Sequence, residues 1–156
     1  MSLEKVKDHF RKYGKENDII IVDGTSATVA LAAQALGCKE KEIAKTLSFN
    51  GKDEMFLIVM AGDAKIDNKK YKGQFKTKAK MLNAEEVVAL TGHEVGGVCP
   101  FGLDDNIKVY FDESLKRFDY VYPACGSTDS AIKLTILELE EYGNCYEWVD
   151  VTKDWQ

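Results

Sequence analysis

Lys45 lies inside EIAKTL (42–47), between apolar Ile43 and Leu47, at the expected junction of a helical turn and a strand. Such a junction aims a side chain at a pocket. An ammonium held there acts as a fixed positive charge toward a phosphate or a reacting carbonyl. As a base it is poorly suited, because burial must lower its ordinary pKa of about 10.4 by several units first. The segment GHEVGGVCPFG (92–102) holds four glycines and one proline in eleven positions, a composition that does not read as core. Glycines permit positive φ and let amide N–H groups point into a cavity, where they bind a carbonyl oxygen, an oxyanion or a phosphate. Pro100 stiffens the loop. The same composition also suits a loop that is only structural. Neither GxGxxG nor Walker spacing occurs, so nucleotide binding through those motifs is unsupported.

His93 is the one histidine beside this candidate chemistry. It reads as a surface loop residue or as part of the site, and no Ser-His-Asp set accompanies it. Cys99 and Cys125 sit in small-residue loops, each a nucleophile if its thiolate is stabilised and otherwise an inert buried thiol. The four cysteines (Cys38, Cys99, Cys125 and Cys145) are spaced 61, 26 and 20 residues apart and form no CxxC. With His9 and His93 they complete no zinc set, and reduced thiols are expected. Nothing in the sequence calls for a metal or an organic cofactor.

The net charge of -5 conceals an asymmetry. Residues 65–80, KIDNKKYKGQFKTKAK, carry seven lysines against Asp67, a local +6 that leaves -11 for the rest. Lys69, Lys70, Lys72, Lys76, Lys78 and Lys80 read either as a solvated face or as a strip facing nucleic-acid phosphates.

The elements that must position these residues follow from periodicity. At 156 residues with 45% hydrophobic and 30% charged residues, the chain matches one ordinary domain, here taken as 1–156, and is neither a disordered tail nor a fibre. Its longest apolar stretch, Met55–Ala61, is far short of the ~20 residues that span a bilayer, and the start MSLEKVKDHFRK has no signal-type run. A cytoplasmic protein without a membrane partner is expected. Leu3, Val6, Phe10 and Tyr13 predict a helix over 2–13, with Ser2 as N-cap and Gly14 past its end. Ile19–Val22 predicts a short buried strand, and Ser26 is placed to cap a small-residue helix ended by Gly37.

A strand over TLSFN, a fully buried central strand over EMFLIVMAG and a helix opened by the Asn83/Glu86 capping box follow. Strands IKVYF and FDYVY flank a short turn. The loop ACGSTDS leads to a strand AIKLT, a turn capped by Thr135 with Glu138, and a last strand YEWVDV. Strict βα alternation is absent. The prediction is therefore a single α+β domain with a mixed, curled, barrel-like sheet and surrounding helices.

EIAKTL, GHEVGGVCPFG and ACGSTDSAIKLT (124–135), with TSATVALAAQALG (25–37) ahead of the lysine, resemble the YbaK/prolyl-tRNA-synthetase-associated editing domain family. The resemblance spans nearly the whole chain in the right order. It implies a free-standing α+β domain that hydrolyses the ester of a mischarged tRNA, typically tRNA for proline carrying alanine or cysteine. The implied partners are aminoacyl-tRNA and prolyl-tRNA synthetase, with no DNA. By resemblance Lys45 is the family's important lysine. Gly96, Gly97, Pro100 and Gly102 match its substrate-cradling loop, with His93 and Cys99 beside them, and Gly126 belongs to a second loop with Ser127 and Asp129. Two departures touch the pocket lining: Cys99 stands where the family usually has serine, and Cys125 replaces the first glycine of a Gly-Gly pair. The lysine strip is then placed to follow acceptor-stem phosphates. The nucleophile is left open between water, the ribose 2′-hydroxyl and a substrate side chain. A non-catalytic module binding a small ligand or a tRNA end, and a thiol-dependent hydrolase using Cys99 or Cys125, are the alternatives.

Overall fold

The apolar run at 55–61 is the axis on which the chain is built. From Phe56 to Ala61 every residue is buried, so both faces of this strand must be covered. A computed structural model describes residues 2–155; the two end residues of the expected 1–156 domain lie outside it. In chain order the elements are α1 (Ser2–Arg11), β1 (Ile20–Ile21), α2 (Val29–Leu36), β2 (Ile43–Asn50), β3 (Met55–Ala61), β4 (Lys65–Ile66), α3 (Asn68–Phe75) and α4 (Ala84–Thr91). After the loop come β5 (Val109–Asp112), β6 (Tyr120–Pro123), β7 (Ser130–Ala131), β8 (Leu134–Thr135), α5 (Ile136–Tyr142), β9 (Glu147–Val149) and β10 (Thr152–Lys153).

Six strands form one curled, mixed sheet in the order β8-β6-β2-β3-β5-β9. Here β3 pairs antiparallel with β2 and parallel with β5, and β2 pairs parallel with β6. The α+β expectation therefore holds. One aromatic group, Phe49, Phe56, Tyr71, Phe75 and Tyr110, packs α3 on the sheet. Another, Phe10, Phe101 and Tyr142, joins α1, the 92–102 loop and α5.

Local capping chemistry explains the helix ends. Asn83 with Glu86 and Thr135 with Glu138 form reciprocal capping boxes, and Gly37 and Gly92 close α2 and α4 in the left-handed conformation. Three local expectations are corrected. The strand at 19–22 shrinks to Ile20–Ile21, both exposed, because it pairs with β7 alone and lies outside the main sheet. Thr28, not Ser26, caps α2; the Ser26 hydroxyl donates instead to Thr128 O at 3.0 Å. AIKLT is two strands rather than one, because Ser130–Ala131 pairs with β1 whereas Leu134–Thr135 pairs with β6.

Two buried hydroxyls, on Thr46 and Tyr71, have no hydrogen-bond partner among the described residues. Burial among aromatic rings pushes the Tyr71 phenol up to about 12. Because an unsatisfied buried hydroxyl costs about 1–3 kcal/mol, Tyr71→Phe is expected to stabilise the protein by about 1 kcal/mol in urea unfolding. A lower midpoint for the variant would show that the hydroxyl is held by a partner after all.

Candidate active site

Strand β2 carries Lys45 two residues inside the sheet, opposite Met60 of β3. The strand therefore begins earlier than the helix–strand junction expected for this lysine. Its Nζ donates to Ala64 O at 2.6 Å and to Gly62 O at 3.3 Å, which leaves one of three ammonium donors for a ligand. Gly62 is required where it packs against the 40–42 turn and α2, since a Cβ there would lie 2.0 Å from Glu40 O and 2.8 Å from Val29 Cγ1. Burial lowers the Lys45 pKa, and the Asp63 carboxylate opposes that shift.

Lys45 lines a cavity of about 310 Å³, at the small end of the roughly 300–1,000 Å³ range of small-molecule sites. The cavity opens where β2 and β6 part. Those strands pair only at Ile43–Tyr122 and Ala44–Pro123. Helix α2 contributes Val29, Ala32 and Leu36, and Tyr122, Leu82 and Val87 continue the apolar wall. Among the described residues lining it there is no Asp, Glu, His or Cys side chain.

The glycine loop meets the cavity only in part. Gly96 and Val98 line it with Lys45, so lysine and loop share a wall. Gly96 adopts φ +93°, and a Cβ there would press on Ala27 and Thr128. Gly97 packs behind, with its amide donating to Glu94 O at 2.9 Å and its Cα against the backbone of Gly126 and Ser127. Pro100 and Gly102 turn away and line a separate cleft beside Lys5, His9 and Tyr142.

Much of the loop is core, contrary to its composition: His93, Cys99 and Phe101 are fully buried. His93 is therefore not a surface residue, nor does it line the cavity. Its Nε2 donates to Phe101 O at 2.8 Å, a group that can only accept, so Nδ1 accepts from the Ser2 hydroxyl. Burial lowers its pKa.

The second loop also splits. Ala124, Ser130 and Ala131 line the cavity, whereas Gly126, Ser127 and Asp129 do not. Ser127 Oγ donates to Asp129 Oδ1 at 2.7 Å and lies 2.6 Å from Ser130 Oγ, so these polar groups satisfy one another. Neither small-loop thiol reaches the cavity. Burial pushes Cys99 up to about 12 and Cys125 well above its ordinary value, which removes the thiolate a nucleophile needs. Alkylation of native protein is expected to spare Cys99 and Cys125, with all four cysteines reacting after unfolding, as read by peptide mass spectrometry. Fast modification of either in the folded state would restore the thiol reading.

The lysine strip divides likewise. Lys70 is tied to Asp150 Oδ1 and Thr152 O, both at 3.0 Å. Lys69 and Lys72 are exposed on α3. Lys76, Lys78 and Lys80 are exposed at alternate positions of a segment that continues into Met81, on the cavity wall. Sequence reasoning missed the wall formed by Ala27, Met81, Val95 and Tyr122. Of these, Ala27 and Val95 fall in segments that the sequence singles out, the stretch preceding the lysine and the glycine loop, whereas Met81 and Tyr122 do not.

A family model for the aminoacyl-tRNA editing domain matches residues 24–142. The chain belongs to that family. It is 54% identical to the uncharacterized protein YwhH of Bacillus subtilis (strain 168), with all of both chains covered. It is also 30% identical to a proline–tRNA ligase of Lactobacillus gasseri over 65% of this chain, a match that spans 18% of the ligase. A crystal structure provisionally described as a trans-editing enzyme for prolyl tRNA synthetase superposes with a TM-score of 0.86 at 26% identity, covering 97% of each chain. In this editing domain the matched span takes in Lys45, the glycine loop and the second loop. Among the described residues no helix is long and apolar enough to cross a membrane.

Proposed function

We propose that this editing domain is an aminoacyl-tRNA deacylase acting in trans on mischarged tRNA, with tRNA for proline carrying cysteine or alanine as its first candidate substrates. The observation that carries the reading is that Lys45 and Gly96 line one small, largely apolar cavity. Synthetase pockets separate substrates differing by a methylene by only about 1–3 kcal/mol, so a second, smaller hydrolytic site is the general remedy. A cavity narrowed by Val29, Ala32 and Leu36 of α2 suits a small acyl group.

An aminoacyl ester is already activated. Attack of a hydroxyl oxygen on the carbonyl carbon builds negative charge on the carbonyl oxygen. The free Lys45 donor and the Gly96 amide are the groups offered to that charge, each such donor being worth about 2.7–4 kcal/mol. Collapse breaks the bond to the ribose oxygen, which takes up the proton. No acidic or imidazole side chain on the wall serves as base, and no thiol serves as nucleophile. The attacking hydroxyl in this reading is therefore water or one carried by the substrate. Lys78 and Lys80, beside the mouth, follow the phosphates of the single-stranded end.

A deacylation panel over several mischarged tRNAs tests the reading, with release of free amino acid expected for small side chains. Saturable tRNA binding without hydrolysis of any substrate would instead make the chain a binding module. In the same assay, Lys78→Glu combined with Lys80→Glu is expected to weaken tRNA binding and flatten its salt dependence, by about 0.7 in the log–log slope per lost single-strand contact. An unchanged slope would remove these lysines from the interface.

A further inference from the structure

Strand β2 has a gap along its outer edge. Its β6 partner leaves after Ala44, and the next chain to pair with that edge is 80–82: Asn50 N donates to Lys80 O at 2.8 Å and Leu82 N to Ser48 O at 3.1 Å. In an extended strand the N–H and C=O of one residue point to the same side, and alternate residues share it. Ser48 O and Asn50 N face away from β3, so the Thr46 N–H and C=O face away too. The β2–β6 register stops one step short of the Lys45–Ala124 pairing that would bind the Thr46 amide. A donor and an acceptor from one residue thus stand side by side, unpaired by any strand among the described residues, where Thr46, Leu47 and Ser48 line the cavity.

We infer that this gap seats an adenine base, with Thr46 N–H donating to N1 and Thr46 C=O accepting from the 6-amino group. The inference rests on the deacylase reading and adds the orientation of the substrate within it. A docking peptide strand does not fit, because Pro123–Ala124 closes one end of the gap and Lys80–Leu82 the other. A planar base needs only one residue's pair of groups, together with apolar walls for its faces, and Met81 and Val95 supply these at the mouth. Unstacked nucleobases are read in this way, by hydrogen bonds to the Watson–Crick edge and contacts on the ring faces.

Direction follows from the lysines. Lys78 and Lys80 precede Met81, at the Ser48–Asn50 end of β2, so the nucleic acid enters there. The base then meets Thr46, and the acyl group lies further in, toward Lys45, Ile43 and α2. Inosine presents N1–H and O6 in place of N1 and the amino group. It would set donor against donor and acceptor against acceptor.

The probes are the dinucleotides cytidylyl-adenosine and cytidylyl-inosine, titrated into uniformly ¹⁵N-labelled protein and followed by amide shifts. The adenosine form is expected to bind at least about tenfold more tightly and to move the Thr46 amide. Thr46→Pro, which removes an N–H that faces away from the β2–β3 ladder, is expected to abolish the preference. Equal binding of the two dinucleotides, no saturable shift for either, or a preference that survives in a folded Thr46→Pro protein would each overturn the assignment. Hydrolysis of mischarged tRNA together with equal dinucleotide binding would remove only this inference. Adenine preference without hydrolysis of any aminoacyl-tRNA would remove only the deacylase reading.

Discussion

Replacing Lys45 by methionine is expected to lower kcat for deacylation of a mischarged tRNA by about 10²–10³-fold while the protein stays folded. The range is that of losing one preorganised donor to a developing oxyanion. Methionine keeps an unbranched chain of similar length, so the Leu47–Ile43 side of β2 stays packed and the variant isolates the charge. The cost to stability is separate, because the Gly62 and Ala64 carbonyls lose their donor, at about 1–3 kcal/mol. Lys45→Ala adds a packing loss but should show the same fall in kcat. Lys45→Arg is not a rescue, since a planar guanidinium cannot repeat the geometry of a compact ammonium. Deacylation at the wild-type rate by folded Lys45→Met protein would take this residue out of the mechanism.

Gly97→Ala is expected to lower activity sharply through a single added methyl. The added carbon would stand 2.7 Å from Ser127 N, 2.8 Å from Gly126 C and 2.9 Å from Gly126 O. All three are backbone atoms, so no side chain can swing aside, and the two loops must move apart. Overpacking of this kind costs about 1–3 kcal/mol. The shift is passed directly to Gly96, whose backbone faces the cavity, and a misplacement of about 1 Å at a reacting centre costs on the order of 10²-fold in rate. Gly73→Ala is the control. Nothing lies within 4 Å of the point its methyl would occupy on α3, so it should stabilise the helix by about 0.5–1 kcal/mol and leave turnover alone. Urea midpoints and single-turnover deacylation, measured together, separate the two effects. Gly97→Ala protein with normal turnover would show that the loops do not position the site.

Much of the scaffold was legible because its causes are local. The Asn83–Glu86 and Thr135–Glu138 boxes act over three residues, and the left-handed closures at Gly37 and Gly92 need only the missing Cβ. The run at 55–61 announces a strand covered on both faces, and that strand is indeed at the centre of a mixed sheet. Where a residue's fate depends on a distant partner, local reading goes astray. Ser26 has the right chemistry for a cap but is claimed by Thr128, 102 residues away. The lysines from 69 to 80 look alike in sequence, yet Lys70 is held by Asp150 and Thr152.

Residue types and order pointed to an α+β fold and singled out Lys45 and two small-residue loops, and the resemblance of those segments to a known family pointed to an editing domain. Only the tertiary structure decided which loop atoms share a cavity with that lysine. Gly96, Val98, Ala124 and Ser130 do, whereas His93, Cys99, Pro100 and Gly126 serve the packing behind or beside it. The reason is geometric. Glycine, cysteine and histidine carry no periodic signal in a loop, and the direction each faces is set by backbone contacts between segments some thirty to one hundred residues apart.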